Sequence, residues 1–167
     1  MKDITLAKHD LQTMDQRHRT RLINSLSGFK SANLIGTCDK EGLDNLAVIS
    51  SVVHLGSNPP LFGFIVRPCE SRRHTLENIL ETKHFTINSI GAEFVRKAHQ
   101  TSARYPKPIS EFNAVGLTPY YDDVFPAPFV LESPLKIGLT FKEKITIESN
   151  QTQMLIGEVI TIHAPKR

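Results

Sequence analysis

Two serines, Ser50 and Ser51, close an apolar run, and Arg67, Arg72, Arg73 and His74 follow further along the chain. Hydroxyls on an extended segment and cations at a helix start are groups that hold a phosphorylated ligand, through charge-assisted bonds and free backbone N–H groups. Ser71 is placed to cap a helix whose apolar face is Leu76, Ile79 and Leu80, which puts Arg72, Arg73 and His74 in its first turn. Positive charge there opposes the helix dipole, a local cost that a bound anion would offset. The alternative is that these side chains point into water.

The elements that must position these groups read mostly as strands. Ala32 to Thr37 and Leu46 to Val53 form a hairpin about the turn at Asp39–Gly42, and antiparallel pairing fits the short loop between them. Gly56–Ser57–Asn58, stiffened by Pro59–Pro60, turns the chain into a strand from Leu61 to Val66 that delivers Arg67. In His84 to Asn88 the period is two, with Phe85 and Ile87 on one side and His84, Thr86 and Asn88 on the other. That polar side is either solvent-exposed or a ligand wall on which Asn88 offers an amide to a heterocycle.

Upstream, Arg17 to Leu26 reads as a helix with Leu22, Ile23 and Leu26 on one face, stopped at Gly28. A second helix spans Glu93 to Ser102 with Phe94, Ala98 and Thr101 on a face, and His99, Ser102 and Tyr105 mark its polar end. Pro106, Pro108, Pro119, Pro126 and Pro128 define a surface excursion, interrupted by a short helical turn at Ser110–Phe112. Two long strands close the chain, one carrying Ile137, Leu139, Phe141, Ile145 and Ile147, the other running from Met154 to Ile162. Six or more strands with few helices and short connections predict a mainly antiparallel β-barrel, residues 1–167 forming one domain with its helices outside.

Composition narrows the function classes. With 167 residues, 40% of them hydrophobic and 22% charged, the chain can bury a core without disulfides or metal. A net charge of +3 with scattered basic residues does not suggest nucleic acid. No apolar run reaches the ~18 residues of a membrane span, and MKDITLAKHD lacks a signal-peptide core, so a cytoplasmic protein is expected. Cys38 and Cys69 read as buried or half-buried thiols. The histidines never fall at i, i+4 spacing, so no helix-borne metal pair is expected. Dinucleotide, P-loop, zincin and nucleophile-elbow signatures are absent, and no carboxylate pair stands out for acid–base work. No catalytic side chain is therefore assigned, and chemistry carried by a bound cofactor remains open.

Six segments, in order, resemble the flavin reductase-like family, specifically its flavoredoxin-type branch with an FMN-binding split barrel. They are NSLSGFKSANLIGT (24–37), NLAVISSVVHLGSNPPLFGFIVRP (45–68), RHTLENI (73–79), FTIN (85–88), AHQTSARYP (98–106) and SEFNAVGLT (110–118). The resemblance implies a six-stranded antiparallel Greek-key split β-barrel that forms a homodimer with FMN near the subunit interface. It implies hydride transfer from NAD(P)H to the flavin and electron delivery to a small-molecule or protein acceptor. It sets Ser50, Ser51 and Val52 along the flavin edge, Arg67, Arg72, His74 and Thr75 at the phosphate, and Asn88 beside the ring. His99, Ser102 and Tyr105 match the segment near the ring's open face. The broader reductases carry S-x-S-L-D-P-P at the turn, where this chain has His54–Leu55–Gly56–Ser57–Asn58–Pro59–Pro60. Two other readings stand beside this one: an FMN-binding electron carrier or flavin-binding protein without NAD(P)H reductase activity, and a β-barrel interaction module whose basic cluster binds a polyanion.

Overall fold

The computed structural model describes residues 3–68 and 73–166. Met1–Lys30 form one compact unit and Ser31–Arg167 a second. The first holds α1 (Lys8–Thr13) and α2 (Gln16–Ser25), where Asp15 caps α2 by accepting the His18 N–H at 2.9 Å. Gly28 follows at φ +74°, the left-handed region that halts a helix.

The second unit contains the expected hairpin, β1 (Asn33–Cys38) paired with β2 (Asp44–Ile49). The chain continues through β3 (Val53–Ser57), β4 (Pro60–Val66), α3 (His74–Thr82) and β5 (His84–Ser89). It then forms a 3-10 turn (Ala92–Phe94), α4 (Val95–Gln100), α5 (Glu111–Val115), β6 (Pro119–Asp122) and β7 (Phe125–Val130), and ends in the long pair β8 (Lys136–Ile147) and β9 (Thr152–His163). Seven strands form one sheet in the order β2-β1-β5-β8-β9-β4-β3. All its pairings are antiparallel.

The sheet must curl. Flat, its six inter-strand gaps of about 4.8 Å would hold the edge strands about 29 Å apart. Yet β2 and β3 are joined by only Ser50, Ser51 and Val52, and four Cα steps reach at most about 15 Å. The two edges therefore approach each other without sharing a ladder, which makes a split barrel. The strand expected over 46–53 is thus two strands on opposite edges, because the even β-propensity of VISSVV hides the change of edge.

Side chains alternate between the faces of this sheet. Ile35, Phe64, Val66, Phe85, Ile87, Leu139 and Leu155 fill the barrel, closed by Ile79 and Leu76 of α3. Leu34 and Leu46 face outward against Phe94, Ala98, Phe112 and Val130. This confirms the apolar face assigned to the second helix.

The Pro-rich excursion holds more order than its composition suggests. β6 and β7 form a two-stranded sheet, and the far edge of β7 is met by side chains rather than another strand. The Pro126 carbonyl accepts from the Cys38 thiol at 3.3 Å, the Pro128 carbonyl accepts from the Thr86 hydroxyl at 2.6 Å, and the Val130 N–H donates to Asn88 Oδ1 at 3.0 Å. Prolines at the first two positions leave no donor stranded on that edge. Gly36 keeps the approach open, since a Cβ there would lie 2.2 Å from the Pro128 oxygen.

Candidate functional site

The cleft of the barrel lies where the edges meet. β3 pairs with β4 only as far as Gly63, so the last residues of β4 have no strand beside them on that side. Ser51 fills the gap: its Oγ accepts the Ile65 N–H at 3.1 Å and donates to the Ile65 carbonyl at 3.4 Å. Arg67 follows two residues later and is exposed. The split thus brings together Ser50, Ser51 and Val52, with Val52 packed on the barrel core, while Arg67 lies beyond Ile65 on the side of the row that leads to Asn45. Along β2 the inward row continues from Ser51 through half-buried Ile49 and Ala47 to buried Asn45, an apolar floor between two polar ends.

At the far end of that row lies the start of α3. Asn45 donates to Thr75 Oγ1 at 2.9 Å and to Thr37 Oγ1 at 3.2 Å, and Asn78 donates to the same Thr37 hydroxyl at 3.1 Å. Asn45 to Ser50 spans roughly 17 Å at strand rise, so polar groups at its two ends suit an elongated ligand with chemically different ends. The helix begins at His74, with Arg73 as its N-cap and no side-chain capping bond. Among the described residues no side chain caps its first turn, which suits those N–H groups to an anion. This corrects the expected start, for only His74 of the basic cluster is in the first turn. Ser71, Arg72 and Cys69 lie outside the described residues.

His74 lines an open cleft of about 220 Å³ together with Asn45, Asn78, Asp39, Lys107 and Glu111. Asp39 accepts from the N–H groups of Glu41 and Leu43 at 3.1 and 2.8 Å and from Lys107 at 3.3 Å. Burial pushes its carboxyl up, but the Leu43 N–H and Lys107 outweigh that and hold it below the usual carboxylate range. Glu111 accepts the Leu46 N–H at 3.0 Å. The cleft is thus walled by carboxylates engaged in structural bonds.

A family profile for the flavin reductase-like domain matches residues 26–167. The chain belongs to the flavin reductase-like domain family. A protein described as a flavin reductase with a split barrel domain, from Shewanella frigidimarina NCIMB 400, is 48% identical. It superposes at a TM-score of 0.94 over 98% of this chain and 81% of that one. The flavoredoxin of Desulfovibrio vulgaris (Miyazaki F) is 26% identical, with a TM-score of 0.74 over 85% of this chain and 73% of its own. An uncharacterized protein of Aquifex aeolicus (strain VF5) is 27% identical over 130 residues, 77% of this chain, and the chain spans 65% of that relative's length. The split barrel expected from the sequence is therefore present, with more strands than six.

Within this family frame the remaining expected residues fall elsewhere. Asn88 is fully buried: its amide donates to the Leu34 carbonyl at 3.1 Å and to Thr86 Oγ1 at 2.8 Å, and its oxygen accepts from Val130. It binds β5 to β1 and β7, so the polar side of its strand is neither solvent-exposed nor a ligand wall but the seat of the small sheet. His99 and Ser102 are exposed on α4, where Ser102 donates to the His99 carbonyl at 2.7 Å and Gln100 donates to Tyr105 at 3.1 Å. The α4 helix packs on the outward side of Leu46, so this group is not brought to the inward row of β2 within one chain.

Sequence reasoning missed the cluster beneath β6. Tyr121 donates to Asp44 at 2.5 Å, and burial followed by the Asp44 carboxylate drives its phenol well above its ordinary range. Burial raises the Cys38 thiol, against a hydrogen bond from Tyr121. It also raises Asp44, again against that tyrosine. Nothing in the local spacing of Cys38, Asp44 and Tyr121 signals their meeting, which depends on β6 folding back. Among the described residues no His/Cys/Asp/Glu group is arranged for a metal, and no helix is long and apolar enough to cross a membrane.

Proposed function

We propose that this chain binds FMN in the split between β2 and β4 and acts as an NAD(P)H-dependent flavin oxidoreductase. The observation that carries the reading is the Ser51–Ile65 junction beside Arg67, an open barrel seam flanked by hydroxyls, a cation and an apolar strand face. The fit is chemical at both ends. A ring needs flat apolar support with a few polar groups, which Ile49, Ala47 and the Ser50–Val52 backbone supply. A phosphate needs cations and N–H donors, which Arg67 and the start of α3 supply. FMN, when bound, supplies the hydride-accepting chemistry that no side-chain pair here offers. The protein's part is to hold the ring edge, exclude water behind it, and leave the other face open for close stacking of a nicotinamide.

The partner in this reading is a second copy of the chain. On the outer sheet face, opposite the core, Val53, Leu55, Ile65, Met154, Ile145 and Ile147 form one apolar surface. The pairings Val53↔Gly63, Ile65↔Met154 and Met154↔Ile145 set these residues on a common side, and Gly63 lies against Met154 and Leu55. Val53, Leu55, Ile145 and Ile147 are 41–47% exposed. An apolar surface crossing four strands marks an interaction site, and it ends at Ile65, beside Ser51. A dimer through this face puts two flavin sites at its rim.

The test is an absorption spectrum after incubation with FMN and desalting, followed by anaerobic NADH and NADPH. A retained flavin spectrum that bleaches promptly supports the reductase. Retained but unbleached flavin means a carrier without reductase activity. A colourless protein rejects the site.

A further inference from the structure

The described residues include three buried side-chain oxygens with no hydrogen-bond partner: Ser110 Oγ, Ser133 Oγ and Gln153 Oε1. The two serines stand at the N-cap of α5 and in the turn that follows β7. Gln153 is different. It sits on β9 directly across from Val66 and shares the inward face with Leu155 and Phe64. An amide half in and half out of a barrel, with its inner atom unsatisfied, is costly unless something else completes it.

Its neighbours indicate what that is. Val66 immediately precedes Arg67, and Ile65 carries the Ser51 junction on the other side of β4. Val52 packs into the same core cluster as Val66. Gln153 therefore lies in a row with the residues at the split, but deeper.

We propose that Gln153 is a ligand-binding residue of this groove and hydrogen-bonds the hydroxylated chain that links the flavin ring to its phosphate. The proposal rests on the flavin reading above. A polyol matches the amide in either orientation, since each hydroxyl both donates and accepts. A phosphate accepts only and takes its bonds from the cations instead. The residue is only partly buried, so its side chain is within reach of a ligand from outside the core.

The experiment measures the affinity of the intact chain for FMN, riboflavin and lumiflavin by fluorescence quenching, with the melting temperature of the flavin-free protein alongside. Gln153→Met keeps length and removes both polar atoms, and Gln153→Leu serves if the first fails to fold. The expected result is a loss of about tenfold for FMN and riboflavin. Lumiflavin, which lacks the hydroxylated chain, keeps its affinity, and the flavin-free protein melts no lower than before. Unchanged affinity for all three overturns the proposal, as does an equal loss for all three or a loss confined to FMN. If the unaltered chain binds none of them, the flavin reading itself falls and takes this proposal with it. If the unaltered chain binds flavin and the variants show one of those overturning patterns, this proposal alone falls.

Discussion

Ser51 Oγ lies 3.1 Å from the backbone nitrogen of Ile65, and this side chain stands where a ladder partner would otherwise continue the sheet. One hydroxyl thus joins the two edges of the curled sheet while leaving the rest of the seam open. Ser51→Ala strands the Ile65 N–H, which costs about 1–3 kcal/mol if water does not reach it. Urea unfolding should show a lower midpoint with an unchanged slope, the product of shift and slope matching that cost. FMN retention should fall in the same variant, because the Ser50–Val52 backbone loses its anchor.

Asn88 provides the contrasting case. Its three hydrogen bonds all run to protein atoms, so Asn88→Leu should destabilise the fold by about 3 kcal/mol or more through stranded carbonyl and N–H groups on β1 and β7. Flavin affinity, measured at a temperature where the variant is still folded, should stay within about twofold of the parent. A selective loss of flavin with unchanged stability would instead place Asn88 at the ligand.

The difference between these residues explains what the sequence could and could not disclose. The period-two pattern in Phe85–Asn88 revealed its strand, since each face of the sheet meets a different environment. The same pattern said nothing of what covers the polar side of Thr86 and Asn88. That answer lies in β7, whose Pro126 and Pro128 read as loop because proline is normally excluded from strands with partners on both sides. The break at Ser50–Val52 was hidden for a related reason: edge choice depends on closure of the whole sheet, which no local window contains. Conversely, Phe94, Ala98 and Thr101 showed their buried face plainly, because helical period and burial coincide there.

Acid stability separates the two aspartates of the β1–β2 turn. Asp39 has a carboxyl depressed in the folded protein, so it contributes stability above its unfolded value and loses it as pH falls through the folded one. Asp44 is raised, so its ionised form opposes folding at neutral pH, and that opposition disappears as pH falls through its folded value. Asp39→Asn should therefore lower the melting temperature at pH 7 and flatten its acid decline. Asp44→Asn keeps an acceptor for Tyr121 and should melt no lower than the parent at pH 7. The same ordering in melting scans from pH 7 to pH 3 checks both signs together.

The outer face predicts a second kind of defect. Ile145→Asp sets a charge on the β8 side of the apolar surface, directly across from Met154, without touching the barrel core. Sedimentation velocity should show the parent as a dimer and the variant as a monomer with an unchanged circular dichroism spectrum. A monomeric parent would remove the second copy from the functional reading.

Arg67 and His74 test which groups answer the phosphate. Arg67 stands two residues beyond the Ser51 junction, whereas His74 lines the cleft that also carries Asp39 and Glu111. Charge-assisted bonds from an arginine are worth about 1.5–3 kcal/mol, or roughly 10- to 150-fold in affinity. Arg67→Ala should weaken FMN by that order while leaving riboflavin, which has no phosphate, nearly unchanged. Its FMN affinity should also depend less on salt than the parent's, since a screened attraction has been removed. His74→Ala should change FMN affinity only a few-fold, because an imidazole facing carboxylates contributes little to holding an anion. Titrations of both flavins at two salt concentrations distinguish the cases, and equal losses of FMN and riboflavin in Arg67→Ala would move the phosphate away from the seam.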